Sequence, residues 1–309
     1  MENIINEIMR KNIGDIKVNP SLSRYTTYKV GGHANLIVYP KDIDSLVSLM
    51  EIINKHDIKY FILGNGSNVL FSDSQYDGII IKLDKFDSIE FQDNIVKVGA
   101  GYSLIKLSLD CVKKGLSGLE FASGIPGTLG GAVFMNAGAY NSDMKSVVKD
   151  VTVLTPDLKV ITLTNSEMNF NYRESFLQHH KGYICLGATL KLRYGKREDL
   201  EEIIKERKLA RKRTQPLEYP SAGSVFRNPP GLYSGKLIEE LNLKGYTVGG
   251  AMISKKHANF IINYNDATAS DIKEIIDYVK EKAYEKYNIN LRVEQRLINW
   301  DDKDEKEKE

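Results

Sequence analysis

Ser224 has a sequence setting that suggests chemistry. It lies in PSAGSVFRNPPG, residues 220–231, with Asn228 four places on and a proline pair after it. The stretch is not a nucleophile elbow, because the G-x-S-x-G pattern needs a glycine two places after the serine and Phe226 stands there. A turn serine whose hydroxyl satisfies a nearby backbone group is the alternative interpretation. Residues elsewhere in the chain must decide between the two.

Charged residues in apolar surroundings form a second group of candidates. In NINLRVEQRLI, residues 288–298, side chains alternate along a predicted strand, so Glu294 and Arg296 share one face. They are either a surface ion pair, worth ~0–1 kcal/mol, or a carboxylate and a guanidinium presented into a cleft. Arg173 raises the same question in NYRESF, since a charge among aromatic residues needs a partner or an anionic ligand.

The stretch FILGNGSNVLFSDSQYDGIIIKLD, residues 61–84, imitates a dinucleotide fingerprint. A strand leads into Gly64-x-Gly66, and Asp84 closes a second strand about twenty residues on. The third glycine position is Val69, however, and the intervening turn formers are too few for the crossover helix of a Rossmann unit. What remains is a strand followed by a tight turn of backbone N–H groups that can approach a phosphate.

A second glycine-rich segment, SGIPGTLGGAVFMNAGAY at 123–140, gives a stronger signal for anion binding. Its glycines permit positive φ and Pro126 stiffens the loop, so successive N–H donors can converge on an anion. There is no G-K-[ST], so this is not a Walker loop. The alternative is a mobile surface loop, but Leu129, Val133 and Phe134 favour a packed one. Two such turns suggest a diphosphate or a large dinucleotide as the ligand.

Apolar periodicity predicts the elements that must position these residues. Strands are predicted at 34–40, 59–63, 78–83, 88–91, 95–101, 150–155, 159–164, 183–195, near 222–227 and 258–263, and at 289–300. Helices are predicted within 1–18, at 41–57, at 103–114 with Gly115 as terminator, at 196–215 and at about 270–287. The β-α-β run at 34–63 is the clearest supersecondary signal, and the fold class is α+β.

Composition excludes several function classes. The 309 residues carry 43 basic and 41 acidic side chains, so no global field recruits nucleic acid or an anionic membrane. The basic run at 207–213 lacks interleaved aromatic residues and is interpreted as a solvated helix face. No signal peptide and no run of ~20 apolar residues is found, so we expect no membrane insertion.

The two cysteines and five histidines indicate neither a disulfide nor a metal site. Cys111 and Cys185 have no CxxC or Cys/His spacing, and no H-E-x-x-H motif occurs. Buried free thiols in a reducing compartment are the simplest account, so we expect a cytoplasmic protein without a metal.

Eight motifs, taken together and in order, resemble those of the UDP-N-acetylenolpyruvoylglucosamine reductases, the flavoenzymes that complete UDP-N-acetylmuramate in peptidoglycan synthesis. They span about 280 residues and are YTTYKVGGHA, LGNGSNVL, SGIPGTLGGAVFMNAGAY, YRESF, QPLEYPSAGSVFRNPPG, GKLIEE, KHANFIIN and EQRLI. The short connection after YRESF and the PPG after the serine motif look like the compact type II branch of that family.

The resemblance implies a two-lobed FAD-binding region of the vanillyl-alcohol-oxidase type and a smaller α+β domain that binds the substrate. We predict an N-terminal helix at 1–20, the FAD-binding domain at 21–194 with lobes at about 21–85 and 86–194, and the substrate domain at 195–300. The tail at 301–309 has no apolar residue and is predicted to be disordered. The sequence leaves the oligomeric state open, with a monomer as the default expectation.

The resemblance also implies the site residues. The catalytic residues would be Arg173, Ser224 and Glu294, with Asn228 and Arg296 binding the substrate. Non-covalent FAD would be held by Gly64, Asn65, Gly66, Ser67, Asn68, Gly124, Ile125, Pro126, Gly127, Thr128, Gly130 and Gly131. Many relatives have a lysine before Q-P where this chain has Thr214, which puts one phosphate contact in doubt; Arg213 or Lys212 is the candidate substitute.

In the family's reaction NADPH reduces FAD, and the reduced flavin then delivers hydride to the vinyl carbon of the UDP-N-acetylglucosamine enolpyruvyl ether. Arg173 and Glu294 would stabilise the enolate that develops, provided that Glu294 is protonated or shares a proton. Ser224 would give a proton to the alpha carbon, which needs no histidine. Two alternatives are another FAD oxidoreductase on this scaffold, such as a sugar or lactone oxidase, and a nucleotide-binding regulatory module without chemistry.

Overall fold

The computed structural model describes residues 1–300, so the predicted disordered tail at 301–309 lies outside the described residues. The α-helices are α1 Glu2–Arg10, α2 Ile43–Lys55, α3 Leu104–Lys113, α4 Leu129–Phe134, α5 Phe176–His179, α6 Arg197–Thr214, α7 Ser234–Glu240 and α8 Ala269–Tyr287. Short 3₁₀ turns occur at Leu22–Tyr25, Glu120–Gly124 and Met144–Ser146.

The strands are short and numerous. They are β1 Gly14–Val18, β2 Ala34–Pro40, β3 Tyr60–Ile62, β4 Val69–Phe71, β5 Tyr76–Ile81, β6 Ile89–Gln92, β7 Ile95–Gly99, β8 Leu116–Ser117, β9 Gly138–Ala139, β10 Ser142–Asp143, β11 Val148–Leu154, β12 Val160–Thr164, β13 Ile184–Lys191, β14 Arg193–Tyr194, β15 Thr247–Val248, β16 Ala251–Ile253, β17 Ile261–Asn263 and β18 Arg296–Ile298.

The longer helices begin and end where the sequence provides caps. Asp42 accepts the Ser45 N–H at 2.8 Å ahead of α2, and Ser103 caps α3, after which Gly115 has φ +68° as the predicted terminator requires. Before α8, Thr268 and Asp271 form a reciprocal capping box. The helices predicted at 41–57, 103–114, 196–215 and 270–287 are therefore confirmed, with ends shifted by a few residues.

The chain forms two compact units, and both are discontinuous in sequence. The first unit comprises Met1–Val18, Leu36–Asn65 and Gly78–Leu209, whereas the second comprises Asn19–Asn35, Gly66–Asp77 and the chain from Ala210 onward. The functional domains drawn from the sequence stay a prediction, but the compact units do not coincide with those contiguous ranges.

The first unit contains the two larger sheets. One has the order β1-β2-β5-β3, and the other is an antiparallel sheet in the order β12-β11-β13-β7-β6. The predicted β-α-β unit of β2, α2 and β3 is present, with β5 inserted between its two strands. A continuous apolar core runs through this unit and includes the inner face of α2 and α3 and the buried side of α4.

The second unit has a core of its own, built on α8. Strands β15, β16 and β17 form an antiparallel sheet that contacts α8, and β18 pairs in parallel with β4. Tyr28, Val30 and Leu70, which come from the two early segments, are buried in this core. These early segments are therefore integral to the second unit.

Three predicted elements are wrong in detail, each for a local reason. Residues 14–18 form a strand that pairs with β2, because Asn12 at φ +52° prevents α1 from continuing. Gly14 allows the close pairing, since a Cβ there would lie 1.9 Å from the Tyr39 carbonyl oxygen. Residues 222–227 make one β-bridge, between Phe226 and Val293, since Gly223 at φ +75° interrupts extended pairing. The last strand is confined to β18, because the residues before it bond to that same irregular segment.

Candidate active site

The first half of the glycine turn after β3 contacts the second glycine-rich loop within the first unit. A Cβ built on Gly64 would lie 2.7 Å from Thr128 Oγ1, and Asn65 Nδ2 donates to the Pro126 carbonyl oxygen at 3.3 Å. A residue with a Cβ at position 64 would therefore crowd the Thr128 side chain. The structure thus brings together two segments that the sequence connected only through their proposed ligand.

The second loop is packed, as its apolar residues indicated. Leu129 and Val133 are fully buried, and the Thr128 hydroxyl accepts the Gly131 N–H at the start of α4. Several N–H groups of this loop donate to acceptors within the protein, so an anion bound there would have to share these donors. They belong to Ile125, Gly127, Leu129, Gly130 and Gly131.

Lys82 is a residue that motif reasoning missed. Its side chain is only 8% exposed, and Nζ lies 2.8 Å from the Gly64 carbonyl oxygen and 3.2 Å from Asp84 Oδ1. A buried charge is costly unless it is paired, and both contacts compensate it. A lysine that interrupts the apolar run in GIIIKLD was the available signal. Lys82 places a positive charge next to the first glycine turn.

The rest of the glycine turn belongs to the second unit. Gly66 has φ +65°, and a Cβ there would lie 2.1 Å from the Tyr25 carbonyl oxygen. Asn68 donates from Nδ2 to the Glu294 carbonyl oxygen at 3.3 Å, and its own carbonyl accepts the Arg296 N–H at 3.0 Å. Asn68, predicted as a cofactor residue, therefore also fixes the backbone of the predicted catalytic strand.

Arg173 lies in the first unit at a tight hairpin in which Asn171 and Glu174 exchange backbone hydrogen bonds, each 3.1 Å long. Its φ is +58°, in the left-handed region that residues other than glycine rarely adopt. Nη2 donates to the Gly138 carbonyl oxygen at 2.9 Å, and Gln178 Nε2 donates to the Arg173 carbonyl at 2.9 Å. Both the backbone and the guanidinium are therefore held in place, as a preorganised cation requires.

Ser224 is followed directly by two residues whose backbone groups are anchored by hydrogen bonds. The Val225 N–H donates to the Asn259 carbonyl oxygen at 2.9 Å, and the Val225 carbonyl accepts the Glu294 N–H at 2.7 Å. The buried Asn259 side chain also accepts the Phe226 N–H at 2.9 Å and donates to the Phe226 carbonyl at 2.8 Å. An amide side chain thus substitutes for a strand partner just after the serine.

Burial along the Glu294 segment follows the predicted alternation only in part, because Val293 is half-buried like Glu294 and Ile298, predicted to face outward, is buried. Glu294 and Arg296 are half-buried on one face, and the inward face is formed by Leu291, Gln295 and Leu297. A glutamine at one of those inward positions is unexpected, because the sequence pattern places apolar residues there.

A cleft of about 340 Å³ opens in the second unit, and Ser224 and Asn228 both line it. Asn228 Oδ1 accepts the Ser234 N–H at 3.1 Å, which orients its amide at the start of α7. Glu294 and Arg296 are not among the described residues that line this cleft. Its other polar lining side chains are Tyr233, Lys236, Glu239, Lys244, Lys256, His257 and Asn259.

Sequence reasoning missed the three lysines of this cleft, because they are spread over twenty residues without a motif of their own. Lys244 pairs with Glu239 at 2.7 Å, and Lys256 Nζ lies 3.5 Å from Glu218 Oε2. Thr214, where relatives carry a lysine, bonds the Ala210 carbonyl in α6 and does not line the cleft. The positive lining is suited to an anionic ligand.

His257 is held as a neutral donor. Its Nδ1 accepts the Asn259 N–H at 3.2 Å, so the ring proton is on Nε2. Burial, and then the charge of Lys244, lowers the pKa of His257 below its ordinary value. Near pH 7 the ring therefore adds a hydrogen-bond donor to the cleft without adding charge.

The donor set is compatible with a flavin dinucleotide and offers nothing for a metal. Around the first turn the chain provides amide and hydroxyl groups from Asn65 and Thr128 and the buried ammonium of Lys82, which together fit a diphosphate. Within residues 1–300, no cluster of three or more His, Cys, Asp or Glu side chains could hold a metal ion. In the same range, no helix is long and apolar enough to cross a bilayer.

Comparisons with protein families match both parts of the chain. Residues 34–164 match the model of an FAD binding domain. Residues 215–298 match the model described as UDP-N-acetylenolpyruvoylglucosamine reductase, C-terminal domain. The fold class expected from the sequence, an FAD-binding region joined to a smaller α+β domain, is thereby confirmed.

Full-length relatives agree with these models. The chain is 48% identical to the UDP-N-acetylenolpyruvoylglucosamine reductase of Anoxybacillus flavithermus and 43% identical to that of Bacillus subtilis, each over 96% of this chain and 99% of the relative. It also resembles the crystal structure of UDP-N-acetylenolpyruvylglucosamine reductase (MurB) from Thermus caldophilus, with a TM-score of 0.80 and 35% identity over 92% of this chain and 100% of that one.

Proposed function

Because the chain belongs to the family of UDP-N-acetylenolpyruvoylglucosamine reductases, we propose that it reduces UDP-N-acetylglucosamine enolpyruvate to UDP-N-acetylmuramate, with FAD as cofactor and NADPH as reductant. The product is a peptidoglycan precursor. One observation carries the site assignment: Ser224 and Asn228 share a cleft with three lysines. A proton donor beside positive charge is what an anionic nucleotide sugar with an enolpyruvyl group requires.

FAD, when bound, provides the redox centre that takes two electrons from NADPH and makes them available to the vinyl group. We propose that Gly64, Asn65 and the 124–131 loop hold its diphosphate from the first unit, with Lys82 contributing charge. Gly66, Ser67 and Asn68 stay proposed FAD contacts on the motif match alone. Because several loop N–H groups are engaged within the protein, side-chain donors carry more of this binding than the sequence suggested.

Ser224 is the proposed proton donor. Reduction of the vinyl group makes the carbon next to the carboxylate basic, and the serine Oγ gives it a proton, which solvent then returns to the serine. A hydroxyl is a weak acid but suffices for a carbon base when it is well positioned. The anchoring of Val225 and Phe226 directly after the serine supports such positioning.

Arg173 and Glu294 are proposed to stabilise the charge that develops on the substrate's carboxylate. A preorganised donor of this kind is typically worth ~2.7–4 kcal/mol of barrier. The fixed guanidinium of Arg173 supports its part of the proposal, and Asn68 supports that of Glu294 by fixing its backbone. Arg296 remains a proposed substrate ligand on the strand that Asn68 also orders.

The diphosphate of the substrate is proposed to lie against Lys236, Lys244 and Lys256. These lysines make the absence of a lysine at Thr214 tolerable, and neither Arg213 nor Lys212 lines the cleft. We also propose a cytoplasmic location, which is supported by free thiols at Cys111 and Cys185, because such thiols persist in reducing compartments.

Anaerobic stopped-flow of the FAD-loaded protein tests the function. NADPH should bleach the flavin absorbance, and UDP-N-acetylglucosamine enolpyruvate should then restore it. If oxygen restores the colour rapidly and the enolpyruvate does not, the protein is an oxidase and the proposal fails. A purified protein that takes up no FAD would exclude both activities.

A further inference from the structure

Gln295, which lies between Glu294 and Arg296 just before β18, has no role in the chemistry above, yet its amide is fully engaged. It is 2% exposed; Oε1 accepts the hydroxyl of Tyr28 at 3.1 Å, and Nε2 donates to the carbonyl oxygen of Ala222 at 3.1 Å and to that of Gly223 at 3.4 Å. A single side chain therefore joins an early segment to the serine segment within the second unit.

An apolar residue would satisfy packing at this position, since the inward neighbours are Leu291 and Leu297. A buried amide is tolerated only when its hydrogen bonds are made, and a half-satisfied one is worse than an apolar side chain. Tyr28 is fully buried, and burial raises the pKa of its phenol, so the hydroxyl remains a donor and fixes which way the amide points. The amide nitrogen is thereby directed at the serine segment.

The bonds of Gln295 fall just before the serine. Gly223 has φ +75°, and a glycine can leave this conformation easily because it has no Cβ to restrict its backbone. No heavy atom lies within 4 Å of the position that a Cβ would take, so no packing contact on that side holds it. Beyond the serine, Val225 and Phe226 are already anchored by Glu294 and Asn259. Without Gln295, Ser224 would follow a flexible glycine whose carbonyl has lost this contact.

We propose that the buried Tyr28–Gln295 pair is a positioning device that fixes the backbone before Ser224 and so aims its hydroxyl at the substrate carbon. The inference rests on the proposed function of Ser224. It makes Gln295 a positioning residue that acts through the serine, and it predicts a selective effect on proton delivery, because misplacement of ~1 Å can cost 10²-fold in rate.

The test uses Gln295→Met, Tyr28→Phe and the double variant in the FAD-loaded, full-length protein. In anaerobic single turnovers, Gln295→Met should leave bleaching by NADPH within about twofold and slow recolouring by the enolpyruvate by ~10–100-fold. Its solvent deuterium isotope effect on recolouring should rise, since proton delivery becomes the slow event. Tyr28→Phe keeps the amide donor and should slow recolouring less.

The double variant separates positioning from stability. Replacing both partners with apolar groups leaves no unsatisfied phenol, so thermal stability should recover relative to Gln295→Met while recolouring stays slow. Asn165→Leu is the matched control, because Asn165 Nδ2 also donates to two backbone carbonyls, of Lys145 at 2.9 Å and Val148 at 2.7 Å, and lies in the first unit. It should alter stability without a selective loss of recolouring.

Three outcomes would overturn the inference: unchanged recolouring in Gln295→Met, a loss shared equally with bleaching, or recovery of recolouring together with stability in the double variant. If Gln295→Met does not fold, the double variant decides alone. A wild-type protein that the enolpyruvate fails to recolour would contradict the proposed function itself, which is a distinct result.

Discussion

Gly64→Ala tests whether the contact between the two glycine-rich segments shapes the first unit. The added Cβ would lie 2.7 Å from Thr128 Oγ1, closer than side-chain atoms approach one another. Gly64 does not have a positive φ, so the backbone itself accepts alanine and the effect is steric. Thr128 is 6% exposed, and its hydroxyl is engaged with the Gly131 N–H at 3.3 Å, so it cannot turn away without losing that bond.

The magnitude follows from these contacts. Overpacking by one methyl group typically costs about 1–3 kcal/mol, and losing a threonine cap about 1 kcal/mol. In Gly64→Ala/Thr128→Ala the hydroxyl is gone, and the Cβ of residue 128 would lie at an ordinary 3.7 Å. The double variant should then cost only about the 1 kcal/mol of the lost cap, which gives a favourable coupling of about 1–3 kcal/mol.

Urea unfolding of the flavin-free variants measures the coupling, and flavin fluorescence titration measures the FAD affinity. Gly131→Ala is the control for stability, because its Cβ would lie 3.5 Å from the same hydroxyl, which is ordinary contact. Gly64→Ala should also bind FAD more weakly, because the loop is displaced. Each 1.4 kcal/mol of binding free energy that is lost lowers the affinity roughly tenfold. Additive losses in the double variant would refute the steric argument.

Three further predictions concern the second unit. Ser224→Ala should bleach normally with NADPH but recolour with the enolpyruvate ~10²–10⁴-fold more slowly, and an equal loss in both half-reactions would assign the serine to folding or FAD binding. Lys244→Met should weaken binding of UDP, measured by calorimetry, by roughly tenfold or more and reduce the salt dependence of that binding, whereas Lys208→Met, at an exposed lysine, should bind UDP as the wild type does. If Lys244→Met binds UDP as tightly as the wild type does, Lys244 is not part of the site. Burial lowers the pKa of His257 from 6.5, so the unfolded state binds the proton more readily than the folded state does. Protonation of His257 should therefore leave the free energy of unfolding of the wild type unchanged above about pH 6.5, and should decrease it relative to that of His257→Gln as the pH falls below 6.5. Melting temperatures that change in parallel between pH 5 and 8 would contradict this.

The sequence predicts best what local patterns determine. The long helices have apolar faces and capping residues such as Asp42 and Thr268, so they were identified with only small errors at their ends. Ser224 and Asn228 share one short segment, and the cleft brings both to one surface. Motif order supplied the family, which the comparisons then confirmed.

What the sequence could not provide depends on contacts between distant residues. Tyr28 and Gln295 are 267 positions apart, and neither alone indicates a shared hydrogen bond. The cleft lysines converge only because α7 and the turns near Lys244 and Lys256 fold around the same space. Strand periodicity also failed at 222–227, because Gly223 and an amide side chain from Asn259 replace regular pairing there.

The composition of the second unit has a consequence for how the chain is made. Strand β4 pairs with β18, and each β18 residue comes 227 positions after its β4 partner, as with Val69 and Arg296. At 5–20 residues per second, the early segments wait roughly 10–45 s on the ribosome for the partners that bury Val30 and Leu70. The second core is therefore completed only after β18 has been synthesised, and a chain terminated before residue 296 would lack the strand that pairs with β4 although its first unit had been translated in full.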